Sequence, residues 1–313
     1  MNKPEKVWDV IIVGAGPAGT SAAMVLARSR RSVLLIDEGK QRNLKSHGLH
    51  NFITRDGILP PDFLNLAHSD LKQYPITYRQ GKITDVKKAG NSKSFLLTED
   101  KGKTFLTRRI LLATGVSDFI PDIPGMEELW GQYVFHCPFC DGYECKEKKI
   151  GLYAAKHNGY AMALALRHLS DQVFLFTHGN HYLKPVQKSF LAKKNIQVFT
   201  RKIRELKAEK GKLVSVLLSD DREIPCDFMF THNGFEVNSH LASRLGCKCT
   251  KKGAAITNRH QETNIPGLYV AGDASIDMHF VVVAAAEGVK AAVAIHNDLL
   301  ETENKEALKV KDS

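Results

Sequence analysis

Two cysteines separated by two residues, Cys137 and Cys140 in FHCPFCDGYE, are followed at once by an acid, Asp141, and a glycine. That spacing serves metal ligation, haem attachment or thiol–disulfide exchange. A zinc site needs two more ligands at workable spacing, and Cys145, Cys247, Cys249 and His136 supply no second Cys-x-x-Cys pair. An iron–sulfur cluster needs four thiolates, and the spacing of Cys137, Cys140 and Cys145 matches neither ferredoxin pattern. A c-type haem needs His after the second cysteine, where Asp141 stands. A redox disulfide remains, and no metal is expected. A helix starting at the motif lowers the pKa of the first thiol. Asp141 then serves as the acid that protonates a departing thiolate.

Such a pair needs elements to position it, and the chain opens with one. Trp8 to Val13 is a short Val/Ile-rich run, GAGPAG follows at Gly14 to Gly19, and the alanine-rich TSAAMVLARSR comes next. This reads as strand, tight turn and helix. Gly14 permits the turn, Gly16 lets backbone approach a pyrophosphate, and Gly19 lets helix and strand pack closely, with Pro17 and Ala18 completing the loop. The helix amino terminus offers free N–H groups to phosphate. A second strand-like run, Val33 to Ile36, ends at Asp37, placed to hydrogen-bond a ribose hydroxyl. Strand, fingerprint, helix and acid together predict a dinucleotide-binding fold.

At 313 residues the chain suggests two domains. With 43% hydrophobic and 25% charged residues it has the balance of a globular protein rather than a disordered one. No apolar run is long enough to suggest a membrane span, and the amino terminus runs straight into strand and turn signals instead of a cleavable leader. A cytoplasmic location is expected, with six unevenly spread cysteines forming no secreted disulfide framework. The net charge of +10 comes from scattered Lys and Arg, so a solvated basic surface is read in preference to nucleic-acid binding, and an acidic protein partner also fits.

Two distant segments extend the reading. RILLATGV, Arg109 to Val116, ends in Thr114-Gly115, and IPGLYVAGDAS, Ile265 to Ser275, ends in Gly272-Asp273. Both resemble segments of the flavoprotein disulfide reductases. That resemblance implies FAD as the first cofactor, with Asp273 at its ribityl-pyrophosphate region. GAGPAG, LLATG, CPFCDG and AGDAS follow the order and approximate spacing of the low-molecular-weight thioredoxin reductases, over nearly the whole chain. The implied fold is α/β, with two Rossmann-like nucleotide-binding domains: an FAD domain at 1–118 and 243–313, split by an inserted domain at 119–242 that carries the cysteines. By the same resemblance Cys140 lies against the flavin as charge-transfer thiolate, Cys137 exchanges with a thioredoxin-like protein or a small dithiol or disulfide, Asp141 is the acid, and the protein is a homodimer.

The resemblance breaks in two places. Where those reductases bind NADPH through a second glycine fingerprint, KIGLYAAKHNGYAMALALRHL has strand Ile150 to Tyr153, turn Ala154 to Gly159 and a helix, but Ala154 and Lys156 replace the first two glycines. The following strand QVFLF ends in Thr177-His178-Gly179 instead of a His-Arg-Arg cluster for the 2′-phosphate. A conventional NADPH site is not expected; the alternative is that Lys156 and His178 grip the phosphates by charge alone. QRNLKSHGLHNFITRDG, Gln41 to Gly57, resembles the gliotoxin and holomycin dithiol oxidases, which form disulfides in small molecules and pass electrons to oxygen. His47 and His50 are read as flavin-proximal or as loop histidines, and Asn51 joins the expected cofactor contacts. NADPH, oxygen and ferredoxin remain as alternative electron carriers. Cys247 and Cys249 read as buried strand residues, and the charged ETENKEALKVKDS as a frayed tail.

Overall fold

A computed structural model describes residues 6–90, 94–156, 159–275 and 278–311, except the side chains of 309–311. The chain forms two compact units, both discontinuous. One comprises Met1–Leu44, Pro61–Ser117 and Glu236–Ser313; the other comprises Lys45–Pro60 and Asp118–Phe235.

The first unit starts with β1 (Val7–Val13), α1 (Pro17–Arg28) and β2 (Val33–Asp37). Val10, Ile11 and Ile12 are all fully buried, so β1 has both faces covered, as a central parallel strand must. Proline at the first position of α1 pre-sets the helical φ where no N–H is needed. A Cβ at Gly19 would overlap the Gly14 carbonyl oxygen, so only glycine lets α1 lie this close to the turn. After α2 (Pro60–Leu71) come β3 (Ile76–Gln80), β4 (Ile83–Lys88), β5 (Phe95–Glu99) and β6 (Thr104–Leu112), and β7 (Val116–Asp118) leads out of the unit. The sheet order is β3-β2-β1-β6-β5-β4. Its first four strands are parallel, whereas β4, β5 and β6 form an antiparallel meander.

The second unit has β8 (Val134–Phe135), α3 (Pro138–Asp141), β9 (Ile150–Tyr153), α4 (Gly159–Arg167), β10 (Val173–Phe176), α5 (Pro185–Lys193) and β11 (Gln197–Phe199). An antiparallel ribbon follows: β12 (Ile203–Glu209), β13 (Lys212–Leu218) and β14 (Glu223–Pro225). β15 (Phe228–Thr231) then completes a parallel sheet of order β11-β10-β9-β15-β8. One core, with Phe135, Leu152 and Phe230, lies under the helices; another, with Met126, Phe176 and Met229, lies under the ribbon. β16 (Phe235–Val237) returns the chain to the first unit.

The last segment contains α6 (Leu241–Arg244), β17 (Leu268–Val270) and α7 (Val281–Lys311). β17 pairs with Ile110 to Leu112, the half of β6 that β5 leaves uncovered. A Cβ at Gly288 would overlap the Ala18 carbonyl oxygen, so glycine sets the close crossing of α7 and α1.

The charged end of the chain departs from the frayed tail expected, because α7 continues to Lys311. Asp298 pairs with Arg109, which is 1% exposed, and Glu303 accepts from Arg31 and Arg108 at 2.6 Å each. A charged helix end is therefore anchored by cations far away in sequence. Cys247 is buried and Cys249 half-buried, as expected, but they lie on an irregular segment with one isolated bridge, Cys249 to Ala255, rather than on a strand.

Candidate active site

The redox motif lies wholly in the second unit. β8 delivers His136 and Cys137 from the edge of the parallel sheet, and Pro138 starts the single turn of α3. Cys137 and Cys140 form a disulfide with Cα atoms 5.3 Å apart. Cys137 is the N-cap, and its sulfur accepts the Cys140 N–H at 3.2 Å. A donor aimed at this sulfur favours its thiolate once the bond is reduced. His136 stacks on Trp130, with ring centroids 6.1 Å apart, and its Nδ1 is 3.8 Å from Asp118. Phe139, between the cysteines, and Tyr143, just beyond, are each 78% exposed.

Asp141 is 6% exposed at the end of α3. Burial, reinforced by the negative charge of Glu144 and partly opposed by His50, pushes its carboxyl from 3.8 up to about 7. A carboxyl in that range holds a proton at neutral pH and can give it up, as a general acid must. The neighbouring Cys145 is different. Burial and the Asp141 and Glu144 charges push its thiol far up, so it stays an inert thiol.

The segment after Lys45 folds onto this motif. Asn51 donates its side-chain amide to the Phe139 carbonyl at 2.8 Å, and its own N–H is held by Asp56 at 2.9 Å. In this structure the Asn51 amide thus steadies the residue between the two cysteines. His50 brings Nε2 to 3.5 Å from Glu144 and Nδ1 to 3.5 Å from Asp56. His47 has Nδ1 3.4 Å from the Gly131 carbonyl and its ring 5.4 Å from that of Phe135. Both histidines therefore gather at Glu144, three residues beyond Asp141. Sequence reasoning singled out neither Glu144 nor Asp56.

The fingerprint residues assemble in the first unit. Gly14 has φ +104 and packs on Ala113, while Gly16 has open space where a Cβ would be. The loop between them is pinned by Asp37, whose Oδ1 accepts from the Ala15 N–H at 2.8 Å and Oδ2 from Gly39 N–H and Gln41 at 2.9 Å each. A carboxylate has about four acceptor sites, so a ribose hydroxyl can still be accommodated. Thr114 and Gly115 are held by Asn238, whose amide donates to the Thr114 carbonyl and whose N–H donates to that of Gly115. The Gly272-Asp273 turn hangs on Glu287, a buried carboxylate of α7 that accepts from Gly272 N–H at 2.7 Å and the Ser275 hydroxyl at 2.9 Å. Asp273 itself pairs with Arg42 at 2.9 Å. Open backbone at Gly16, a helix amino terminus behind it and an oriented acid fit a dinucleotide pyrophosphate and ribose. Asn238 and Glu287 escaped sequence reasoning because each acts from a remote segment without a motif of its own, and Arg42, inside the 41–57 stretch, because its partner Asp273 is 231 residues away.

The pattern of one known family, described as pyridine nucleotide-disulphide oxidoreductase, matches residues 8–288. The chain belongs to that family. Thioredoxin reductase sirT of Leptosphaeria maculans is 30% identical over 312 residues, covering 93% of this chain and 94% of its own. Among solved structures, HlmI superposes with a TM-score of 0.94 at 32% identity, covering 99% of this chain and 98% of that one. A putative thioredoxin reductase TrxB from Bacillus anthracis gives 0.90 at 30% identity, covering 95% and 99%. This pyridine nucleotide-disulphide oxidoreductase is thus an FAD-dependent enzyme of thioredoxin reductase type, with the expected α/β Rossmann-like fold.

The oxidoreductase's Ala154 to Gly159 turn packs against Tyr182. Residues 157 and 158 of the expected Ala154 to Gly159 turn lie outside the described residues. At its flanks, Tyr182 donates its hydroxyl to the Ala154 carbonyl at 2.9 Å. The same hydroxyl lies where a Cβ on Gly159, the first residue of α4, would be. His178, at the end of β10, accepts the Ile203 N–H on Nδ1 at 3.1 Å, and burial lowers its pKa. Lys156 is exposed.

Proposed function

We propose that this enzyme exchanges electron pairs between FAD and a dithiol or disulfide partner through Cys137 and Cys140, without a conventional NADPH site. FAD, when bound, supplies a two-electron store. In the reducing direction the Cys137 thiolate attacks a partner disulfide, forming a mixed disulfide and releasing one partner thiolate. Cys140 then attacks Cys137, which restores the intramolecular disulfide and releases the second thiolate. Asp141 supplies a proton to a departing sulfur. In the oxidising direction the same bonds form and break in reverse order. The exposed rings of Phe139 and Tyr143 offer apolar contact to a thioredoxin-like protein or a small dithiol.

The observation that carries the reading of the nucleotide site is Tyr182. Its hydroxyl, tied to the Ala154 carbonyl, fills the space over Gly159 at the amino terminus of α4, the place a pyrophosphate would need to approach. His178 is turned to a backbone N–H and favours its neutral form, so it offers no fixed cation for a 2′-phosphate. This weighs against the alternative in which Lys156 and His178 grip the phosphates. The oxidised enzyme should be mixed anaerobically with NADPH, reduced ferredoxin or a small dithiol while the flavin band is followed. Bleaching by NADPH should be orders of magnitude slower than by the effective donor. Two lost charge-assisted hydrogen bonds, each worth about 1.5–3 kcal/mol, already weaken binding about a hundredfold or more. Fast, saturable bleaching by micromolar NADPH would overturn this reading. Reoxidation of the reduced enzyme by oxygen, with a small dithiol as donor, separates a dithiol oxidase from a ferredoxin-dependent reductase.

The working assembly in this proposal is a homodimer in the cytoplasm. Its support is the family resemblance and an exposed apolar stripe on α7, where Val282, Val289, Val293 and Leu300 recur on one face. No helix among the described residues is long and apolar enough to cross a membrane.

A further inference from the structure

We infer that His47, His50 and Glu144 form a binding site for one divalent transition-metal ion of the zinc class, in contrast to the metal-free sequence reading. One nitrogen of each ring and one Glu144 oxygen lie within 4.8 Å of one another. Zinc bonds of about 2.0–2.1 Å place tetrahedral donors about 3.3 Å apart. The His50 Nε2 to Glu144 Oε1 distance is already 3.5 Å, and no donor pair is farther apart than 4.8 Å, so the site needs to contract by about 1.5 Å or less.

Two further observations make this more than a cluster of polar groups. Each histidine has Nδ1 against an acceptor outside the cluster, the Asp56 carboxylate for His50 and the Gly131 carbonyl for His47. With Nδ1 carrying the proton, each ring keeps the Nε2 lone pair for a metal. This outer support is what orients metal-binding histidines. The second observation is Glu144 Oε2, which is buried from solvent and has no hydrogen-bond partner among the described residues. An uncompensated carboxylate oxygen is costly, and a bound cation removes that cost.

Two imidazoles and a carboxylate suit zinc and its transition-metal neighbours; magnesium and calcium prefer all-oxygen sets. All three residues are half-buried, which leaves a coordination position for water or a thiolate. Because Glu144 follows the redox motif, a bound ion would tie the 47–50 segment to the chain just beyond the cysteines.

The test is titration of the metal-free holoenzyme with zinc chloride against a chromogenic indicator, with the Cys137–Cys140 disulfide oxidised so that neither thiol can bind. One equivalent should bind with Kd below about 10 μM. His47→Gln, His50→Gln and Glu144→Gln should each weaken it at least tenfold, and Asp56→Asn by about 10- to 100-fold. Cys249→Ser should leave it unchanged. Magnesium should not compete. A retained flavin spectrum certifies the fold of each variant, and if one fails to fold the other two ligand variants decide. Absence of stoichiometric binding below about 100 μM, affinity indifferent to the ligand variants, or binding lost in Cys249→Ser would each overturn the inference. Zinc binding is read without turnover, so its failure is distinct from failure of the proposed electron transfer.

Discussion

Replacing Asp141 by Asn removes the only ionisation expected near neutral pH on α3. Burial first, then the Glu144 charge, raises this carboxyl from 3.8 to about 7. Its folded pKa is above its unfolded value, so the folded state holds the proton more tightly. That contribution to stability is fully present below about pH 4 and is lost as pH rises through 7. At 1.36 kcal/mol per pKa unit the loss is at most about 4 kcal/mol. The Asn variant lacks this titration and carries only a constant offset from burying an amide. The difference in unfolding free energy between the two proteins, measured by urea denaturation from pH 4 to pH 8, should therefore shift by up to about 4 kcal/mol in favour of the variant. Exchange with a small disulfide, followed anaerobically after reduction of the protein, should slow about 10²- to 10⁴-fold in the variant. The wild-type rate should lose its acid-dependent component above about pH 7, and the variant should show no such limb. A difference in stability that stays flat across this range, together with an unaltered exchange rate, would refute the buried-acid argument.

The two cysteines are expected to part in their behaviour. Cys140→Ser should abolish exchange and remove any long-wavelength charge-transfer absorbance of the reduced protein, while Cys137→Ser should keep that absorbance and lose exchange; a spectrophotometer distinguishes this from the reversed assignment. Gly19→Ala should prevent stable FAD uptake, because its methyl must occupy the position of the Gly14 carbonyl oxygen. Flavin retained at wild-type affinity after gel filtration would contradict that packing argument.

Much of this architecture can be read from local patterns because the responsible physics is local. A run such as Val10-Ile11-Ile12 followed by Gly14 and Gly19 admits few structures other than strand, turn and helix, and these residues behave accordingly. The cysteine pair was likewise legible, since its disulfide closes within one helical turn. What escaped depends on distant partners. Glu287 lies inside an alanine-rich helix and looks like a solvent-facing charge until Gly272 and Ser275 are brought to it. The end of α7 looks solvated until Arg31, Arg108 and Arg109 are placed against it. Tyr182 gives no sign in the sequence that its hydroxyl reaches Gly159, because it sits in the irregular segment between β10 and α5, where no periodicity points it back to the start of α4.

The interleaving of the two units also governs how the molecule can be made. Unit two draws on residues 45–60 and 118–235, so the ribosome adds all of its chain before residues 236–313 of the first unit. The first unit must wait for β17 to cover the open half of β6 and for α7 to cover the alanine face of α1. Roughly 250 residues separate α1 from α7, and at about 5–20 residues per second that is tens of seconds of synthesis. During that interval a half-built parallel sheet has an unpaired edge and a bare apolar helix face. Nascent chains arrested before residue 281 should accordingly bind holdase chaperones through β1, α1 and β6, and a circular permutant that begins at β17 should shorten that exposure.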